Sequence, residues 1–195
     1  MPENFRQDFE DTRGIMDGTE IHIQRCKNPE VQQSTFSHYK NDTTVKAVVT
    51  NTPGGLFSHC SELYGGSTSD RQMIERSRIP NLCEPGDLIM ADEGFTVQDI
   101  FAPYGVSVLI PNFKKNGYIP LKALLEDRKL SKYRVHVERI IGLLKTYKIL
   151  STKLNHYRVP IATAITQVCV MLCNFRECIM KKNNQKFKTK ISECF

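Results

Sequence analysis

Three carboxylates stand at positions where an acidic side chain calls for an explanation. Asp17 lies in an alternating segment and shares a face with Ile15 and Ile21, where an unpaired carboxylate is costly. Asp92 follows a short apolar run, at the kind of strand end where open sheets bind ligands. Glu138 lies on a stripe of a predicted helix that mixes charged and apolar residues. Because Mg²⁺ and Mn²⁺ prefer carboxylate oxygens, these three acids are candidate metal ligands.

Each of these acids also has an ordinary structural explanation. Asp17 could be neutralised by an arginine or by backbone amides. Asp92 could cap a helix or begin a turn before Gly94. Glu138 could form an ion pair with Arg134, one helical turn away. The residue types alone therefore leave both explanations open at each position.

A fourth acid, Asp70, competes with Asp92 for a place in the set. Ser69 or Asp70 is a good N-cap for a predicted helix that includes Met73 and Ile74. Since a helix cap explains Asp70, the sequence favours Asp92 as the second carboxylate.

The elements that must position these acids form a mixed pattern of strands and helices. Alternating residues predict three strands, joined by turns into an antiparallel meander. These strands cover residues 15–24, 43–50 and 56–64. Two apolar runs, residues 87–91 and 106–110, predict strands that are covered on both faces. Helices are predicted from residue 70, at 96–101, over 130–150, and from 160 to about 180, with a polar loop over 111–129. This order indicates an α/β fold, in which helices flank a mixed sheet.

Three segments around the acids resemble the acidic motifs of Harbinger-type (PIF/Harbinger) DDE transposases. They are residues 15–21 (IMDGTEI), 86–95 (GDLIMADEGF) and 136–145 (HVERIIGLLK). A single motif of this kind is weak, but all three occur in the family's order across roughly residues 10–175. Asp92 and Glu138 are 46 positions apart, close to the separation that this family shows.

The resemblance implies an RNase H-like fold and a DDE endonuclease that cleaves DNA at transposon ends and transfers the strands. It implies a two-metal site for Mg²⁺ or Mn²⁺, in which Asp17 bridges both ions while Asp92 and Glu138 each hold one side. Arg134, Arg139 or Lys145 would steady the phosphate. A nuclear location, a homo-oligomer and a separate sequence-specific DNA-binding protein are compatible with it.

Two features depart from the family pattern. Glu93 stands where relatives usually carry a basic or small residue, so it adds negative charge beside the site. The helix-turn-helix that precedes the catalytic domain in many relatives is not found ahead of Asp17, so we expect either a fragment that lacks this module or an isolated catalytic domain. Both features favour the alternative function, a domesticated and catalytically silent module that binds DNA or protein.

The distribution of charge supports a polyanionic partner. Residues 1–100 carry 9 Lys and Arg against 16 Asp and Glu, a net charge of −7, whereas residues 101–195 carry 18 against 5, a net charge of +13. Nucleic acid is the most common partner of such a basic surface. We expect one domain over residues 1–180 and a basic, disordered tail over 181–195.

Composition excludes several other classes of protein. The seven cysteines include no CxxC pair, so a zinc site is not expected, and Cys169 and Cys173 are predicted to be small buried side chains. The apolar segment 161–173 is too short to span a membrane. The acidic amino end does not resemble a secretory signal, so an intracellular protein is expected.

Overall fold

In the computed structural model, which describes residues 9–92, 94–110 and 137–176, seven strands form one mixed sheet. The strands, in chain order, are β1 (Thr12–His22), β2 (Phe36–Ser37), β3 (Asp42–Asn51), β4 (Phe57–Cys60), β5 (Tyr64–Gly65), β6 (Leu88–Ala91) and β7 (Ser107–Leu109). The helices are α1 (Pro29–Thr35), α2 (Asp70–Arg76), α3 (Gln98–Phe101), α4 (residues 137–144), α5 (Lys148–Ser151) and α6 (Ala162–Cys173). Short 3₁₀ helices cover Pro80–Leu82, Ala102–Tyr104 and His156–Ile161.

The antiparallel half of the sheet is the predicted meander. β1 pairs with β3 along most of its length, and the short strands β2, β5 and β4 pair with successive parts of the other edge of β3. The predicted strand 56–64 is divided into β4 and β5. At the break, the Ser61 hydroxyl accepts a hydrogen bond from the Val48 amide at 3.0 Å and replaces a rung of the ladder.

The parallel half places β6 beside β1, and β7 beside β6. Ile89 and Met90 are consecutive residues of β6 with opposite side-chain directions, and they are only 1% and 2% exposed. The prediction that this strand is covered on both faces is therefore confirmed.

Each face of the sheet carries its own hydrophobic core. On one face, Ile15 and Ile21 of β1 pack with Leu144 of α4 and with α6. On the other face, Met16 packs with Met73 of α2 and with residues around α3. Helices thus flank a mixed sheet, which confirms the predicted α/β class and is consistent with an RNase H-like fold.

The predicted long helix over residues 130–150 is wrong in its second half. α4 ends at residue 144, the chain turns through 145–147, and α5 is a separate helix. The Thr146 hydroxyl donates to the Leu143 carbonyl at 2.7 Å, and Tyr147 has an extended backbone with φ −67° and ψ 118°. This local hydrogen bond competes with continuation of the helix.

Other predicted elements are shifted, missed or not described. The helix expected from residue 160 is preceded by the 3₁₀ helix His156–Ile161 and begins at Ala162. α1 and β2 were not predicted, although Asn28 caps α1 and Pro29 occupies its first turn. The predicted loop 111–129, residues 130–136 and the tail 181–195 lie outside the described residues.

Two expectations about the composition can be compared with the structure. Cys169 and Cys173 are buried in the core, as predicted. No helix within the described ranges has the length and apolar character needed to cross a membrane.

Candidate active site

The register of two parallel strands brings Asp17 and Asp92 next to each other. Met16 of β1 pairs with Ala91 of β6, and this is the last pair of the parallel ladder. Asp17 follows Met16 within β1 and Asp92 directly follows the end of β6, and adjacent paired strands lie about 4.8 Å apart. Two acids that are 75 positions apart in sequence therefore stand side by side where the strands separate.

The third acid reaches the same place from a helix. An open cavity of about 630 Å³ lies beyond the end of β6, and Asp17, Asp92 and Glu138 of α4 all line it. The cavity contains further charged side chains among the described residues. They are the acids Glu20 and Asp70 and the lysines Lys40, Lys46 and Lys145.

Asp17 has the environment that the sequence predicts. Ile15 and Ile21, its neighbours on the same face of β1, are buried in the core, whereas Asp17 is half-buried. One of its carboxylate oxygens, Oδ1, accepts a hydrogen bond from the Gly18 amide at 2.7 Å. A backbone amide, one of the two ordinary partners considered for Asp17, is therefore present.

Asp92 begins a turn but does not cap a helix. Its carbonyl oxygen accepts from the Phe95 amide at 3.0 Å. The following helix, α3, has Val97 at its N-cap position, so the helix-cap explanation for Asp92 is wrong. The turn directs the chain away from β6 and leaves Asp92 on the wall of the cavity.

Asp70 is not the helix cap either. Ser69 caps α2 with a complete capping box, in which Ser69 and Gln72 bind each other's backbone amides. Asp70 is the first residue of α2, and it lines the cavity. Its carboxylate lies near the loops that carry the other acids, since a Cβ atom built on Gly18 or Gly94 would lie 3.9 Å or 3.0 Å from an Asp70 oxygen. The argument that set Asp70 aside therefore fails.

The electrostatic surroundings of Asp70 show that acids crowd this cavity. Burial raises the pKa of Asp70, and the charges of Glu20 and Asp92 raise it further, whereas Lys46 acts in the opposite direction. Burial is the largest cause of the raised pKa of Asp70, and repulsion from the two neighbouring carboxylates adds to it, because nearby like charges disfavour ionisation.

Glu20 and Lys46 form a charged pair that sequence reasoning missed. They are cross-strand partners on β1 and β3, with the Lys46 ammonium 3.6 Å from a Glu20 oxygen. The other Glu20 oxygen accepts from the Thr44 hydroxyl at 2.8 Å. The two side chains are only 10% and 16% exposed. A lysine in the middle of an otherwise buried strand was the available signal for this pair.

Of the basic residues considered as phosphate ligands, Lys145 is the one that the structure places at the cavity. Removal from bulk water lowers the pKa of Lys145, and so does the charge of Lys40, whereas Glu20 and Asp17 act in the opposite direction. Arg139 is exposed and lies outside the cavity lining. Arg134 and Glu93 lie outside the described residues.

Gly142 lies one helical turn after Glu138 and also lines the cavity. A glycine inside a helix can allow a close approach to a neighbouring element, but no such approach occurs at Gly142 among the described residues. Apart from the helix's own backbone and the adjacent residues, no heavy atom of the described residues would lie within 4 Å of a Cβ atom built on Gly142, and the residue is exposed. Gly142 therefore leaves space in the cavity instead of allowing backbone contact.

The acids of the cavity provide the type of donor atom that binds divalent metal ions. All of their donor atoms are carboxylate oxygens, and the repulsion that Glu20 and Asp92 exert on Asp70 is of the type that a bound cation relieves. Among the described residues, however, no three acidic, histidine or cysteine side chains are already close enough together to hold an ion. Binding by the described acids alone would therefore require their side chains to converge.

The sequence matches a known family over most of its length. Residues 16–174 match the model of the DDE superfamily endonuclease family, so the chain belongs to this family. The matched region contains all three acids and every described element from β2 to α6. No curated protein matches this sequence. The nuclease class, with DNA as the substrate that it implies, thus rests on the family and on the α/β fold.

Proposed function

We propose that this domain is the catalytic part of a Harbinger-type transposase, which cleaves nuclear DNA at transposon ends and transfers the strands. The observation that carries the proposal is the pairing of Met16 with Ala91. It brings Asp17 and Asp92 together at the ends of parallel strands, in a cavity that Glu138 also lines. The open end of such strands is where α/β sheets bind their ligands.

In this proposal, Asp17, Asp92 and Glu138 hold Mg²⁺ or Mn²⁺. When bound in such a site, divalent ions activate the attacking oxygen and neutralise charge at the leaving oxygen. Lys145, in the turn that follows α4, contacts the phosphate in this proposal, since it lines the same cavity as the acids. Lys46 offsets part of the negative charge of Glu20 and Asp70, which keeps the acid-rich wall folded before the metal binds.

Asp92 is the proposed second ligand because it directly follows the strand that pairs beside Asp17. Asp70 comes from a different element, α2, and has its oxygens near Gly18 and Gly94. It lies beside the proposed ligands and shapes their electrostatic environment.

A plasmid-nicking assay with Mn²⁺ tests the proposal. The wild-type protein should convert supercoiled plasmid to the nicked form, and Asp17→Asn, Asp92→Asn and Glu138→Gln should each abolish nicking. Circular dichroism should show that each variant remains folded. Asp70→Asn should keep more activity than Asp92→Asn. An equal loss of nicking activity in these two variants would indicate that Asp70 is a metal ligand as well.

Matched controls lie outside the cavity. Asp11→Asn and Glu30→Gln change exposed acids that do not line it, and both should nick like the wild type. Wild-type nicking that survives in Asp17→Asn would contradict the proposed site. A folded wild type that binds DNA but never nicks would instead support the silent binding module.

A further inference from the structure

An exposed tyrosine stands on the rim of the acidic cavity. Tyr39 is 82% exposed, although it lines the same cavity as Asp17, Asp92 and Glu138. It lies in the turn between β2 and β3, residues 38–41. An aromatic ring that is this exposed does not contribute to the core, so its position at the rim is available for a ligand.

The turn that carries Tyr39 is firmly anchored. At one end, Ser37 is fully buried, and its hydroxyl accepts from the Lys40 amide at 3.2 Å. At the other end, the Asp42 carboxylate lies 2.8 Å from the Lys153 ammonium and 3.0 Å from the His22 ring. A rim that is already ordered loses little conformational entropy when it binds a ligand.

The rim also carries positive charge. The Lys40 ammonium lies 4.4 Å from the centroid of the Tyr39 ring, and both residues line the cavity. Lys145 lines it as well, and the charge of Lys40 is among the causes that lower the pKa of Lys145. An anion bound at this rim would relieve the repulsion between the two ammonium groups.

An aromatic ring beside one ammonium group, with a second ammonium group in the same cavity, matches the chemistry of a nucleotide, which has a planar base and a phosphate. Aromatic side chains stack on the bases of single-stranded nucleic acids, while basic side chains follow the phosphates. In an intact duplex the face of a base is already stacked on its neighbours, so Tyr39 could stack only on an unpaired nucleotide.

We infer that Tyr39, Lys40 and Lys145 bind an unpaired nucleotide of the DNA strand that enters the cavity, with Tyr39 stacked on its base and the lysines on a phosphate. This inference rests on the proposed DNA-cleaving function, because the nucleotide would lie next to the bond to be cut. It assigns to the 38–41 turn the recognition of single-stranded or locally opened DNA.

The test compares two strands in the presence of a chelator, so that cleavage plays no part. One is a short oligothymidylate, and the other is an abasic phosphodiester strand of the same length. The wild type should bind oligothymidylate more tightly. Tyr39→Ala should weaken this binding about tenfold, leave the abasic strand unaffected and so abolish the preference. Tyr39→Phe keeps the ring and should bind like the wild type.

Two more variants separate stacking from charge. Lys40→Gln should weaken binding to both strands and reduce the salt dependence of log K by roughly 0.7, the share of one phosphate contact. Tyr157→Ala removes a tyrosine that is 92% exposed and does not line the cavity, and it should bind both strands like the wild type.

Either of two results would overturn the inference: a wild type that binds both strands equally, or a Tyr39→Ala variant that keeps the preference. Either result, together with Mn²⁺-dependent nicking, would refute the inference but leave the proposed nuclease intact. If Tyr39→Ala lost the preference for oligothymidylate but the wild type did not nick DNA, the inference would stand and the proposed nuclease would be refuted.

Discussion

Replacing Gly142 by alanine should make the protein more stable and a poorer nuclease. Glycine in a helix costs conformational entropy, and residue 142 lies inside α4, between Glu138 and Lys145. Alanine is the best helix former, and it adds a single methyl group. In this structure the methyl group would point into the space of the cavity.

The expected magnitude follows from the empty surroundings of this residue. Within the part of the chain that the structure describes, a Cβ atom on Gly142 would meet no heavy atom of another element within 4 Å, so no steric cost from these residues reduces the gain in helix propensity. The free energy of unfolding should therefore rise by about 0.8–1.0 kcal/mol. For a protein of this size, such a change corresponds to a Tm increase of about 2–4 °C.

Urea denaturation in chelator and nicking with Mn²⁺ measure the two effects separately. Gly142→Leu is a second variant, because leucine and alanine have similar helix propensities while leucine fills much more of the cavity. Both variants should gain stability, and nicking should fall from glycine to alanine to leucine. Reduced stability of Gly142→Ala would refute the helical, uncrowded environment. If both variants were more stable than the wild type and nicked DNA as fast as it does, the role of Gly142 in leaving space for substrate would be refuted.

Two further predictions concern charge. Because Asp92 contributes to the raised pKa of Asp70, Asp92→Asn should leave the metal-free Tm unchanged or raise it. Mn²⁺ at one hundred times its dissociation constant should stabilise only the wild type, by about 2.7 kcal/mol. Thermal scans in chelator and in Mn²⁺ measure both effects, and a wild-type Tm that does not change with Mn²⁺ would contradict the site. The pKa of Asp42 is lowered from 3.8 to about 2, mainly by its hydrogen bond with Lys153 and then by the Thr43 amide. Its charged form therefore stabilises the fold above pH 3.8, and this contribution is lost as the pH falls towards 2. Asp42→Asn should be less stable than the wild type at pH 7 and equally stable near pH 2, and a difference independent of pH in urea titrations would contradict this assignment.

The sequence predicted those parts of the fold that follow from local periodicity. The alternation around Asp17 predicts β1 and its buried face, and the apolar run before Asp92 predicts β6, because each pattern reflects burial of consecutive side chains. The break after α4 could not be predicted in this way, since Thr146 and Tyr147 fit a helical pattern and only a local hydrogen bond ends it.

The candidate site was predicted less completely than the fold. Asp17, Asp92 and Glu138 stood out because an acid beside apolar residues is visible in one segment. Asp70 was set aside because the sequence alone does not distinguish an acid that caps a helix from an acid that lines a cavity at the start of that helix. Only the geometry assigns the cap to Ser69. Pairings between distant segments, such as Glu20 with Lys46, depend on strand register, which no single segment contains.

The same register determines when the site can exist during synthesis of the chain. Met16 and Ala91 are 75 positions apart, and contacts between such distant residues are slow to form because they close a long loop. Glu138 is added later still. At about 5–20 residues per second, a ribosome needs roughly 6–24 s to proceed from Asp17 to Glu138. During that interval the nascent chain carries part of the acid set but has no α4 to complete the cavity. A product of termination between Asp92 and α4 would therefore contain Asp17 and Asp92 and still lack the complete set of acids in the proposed site.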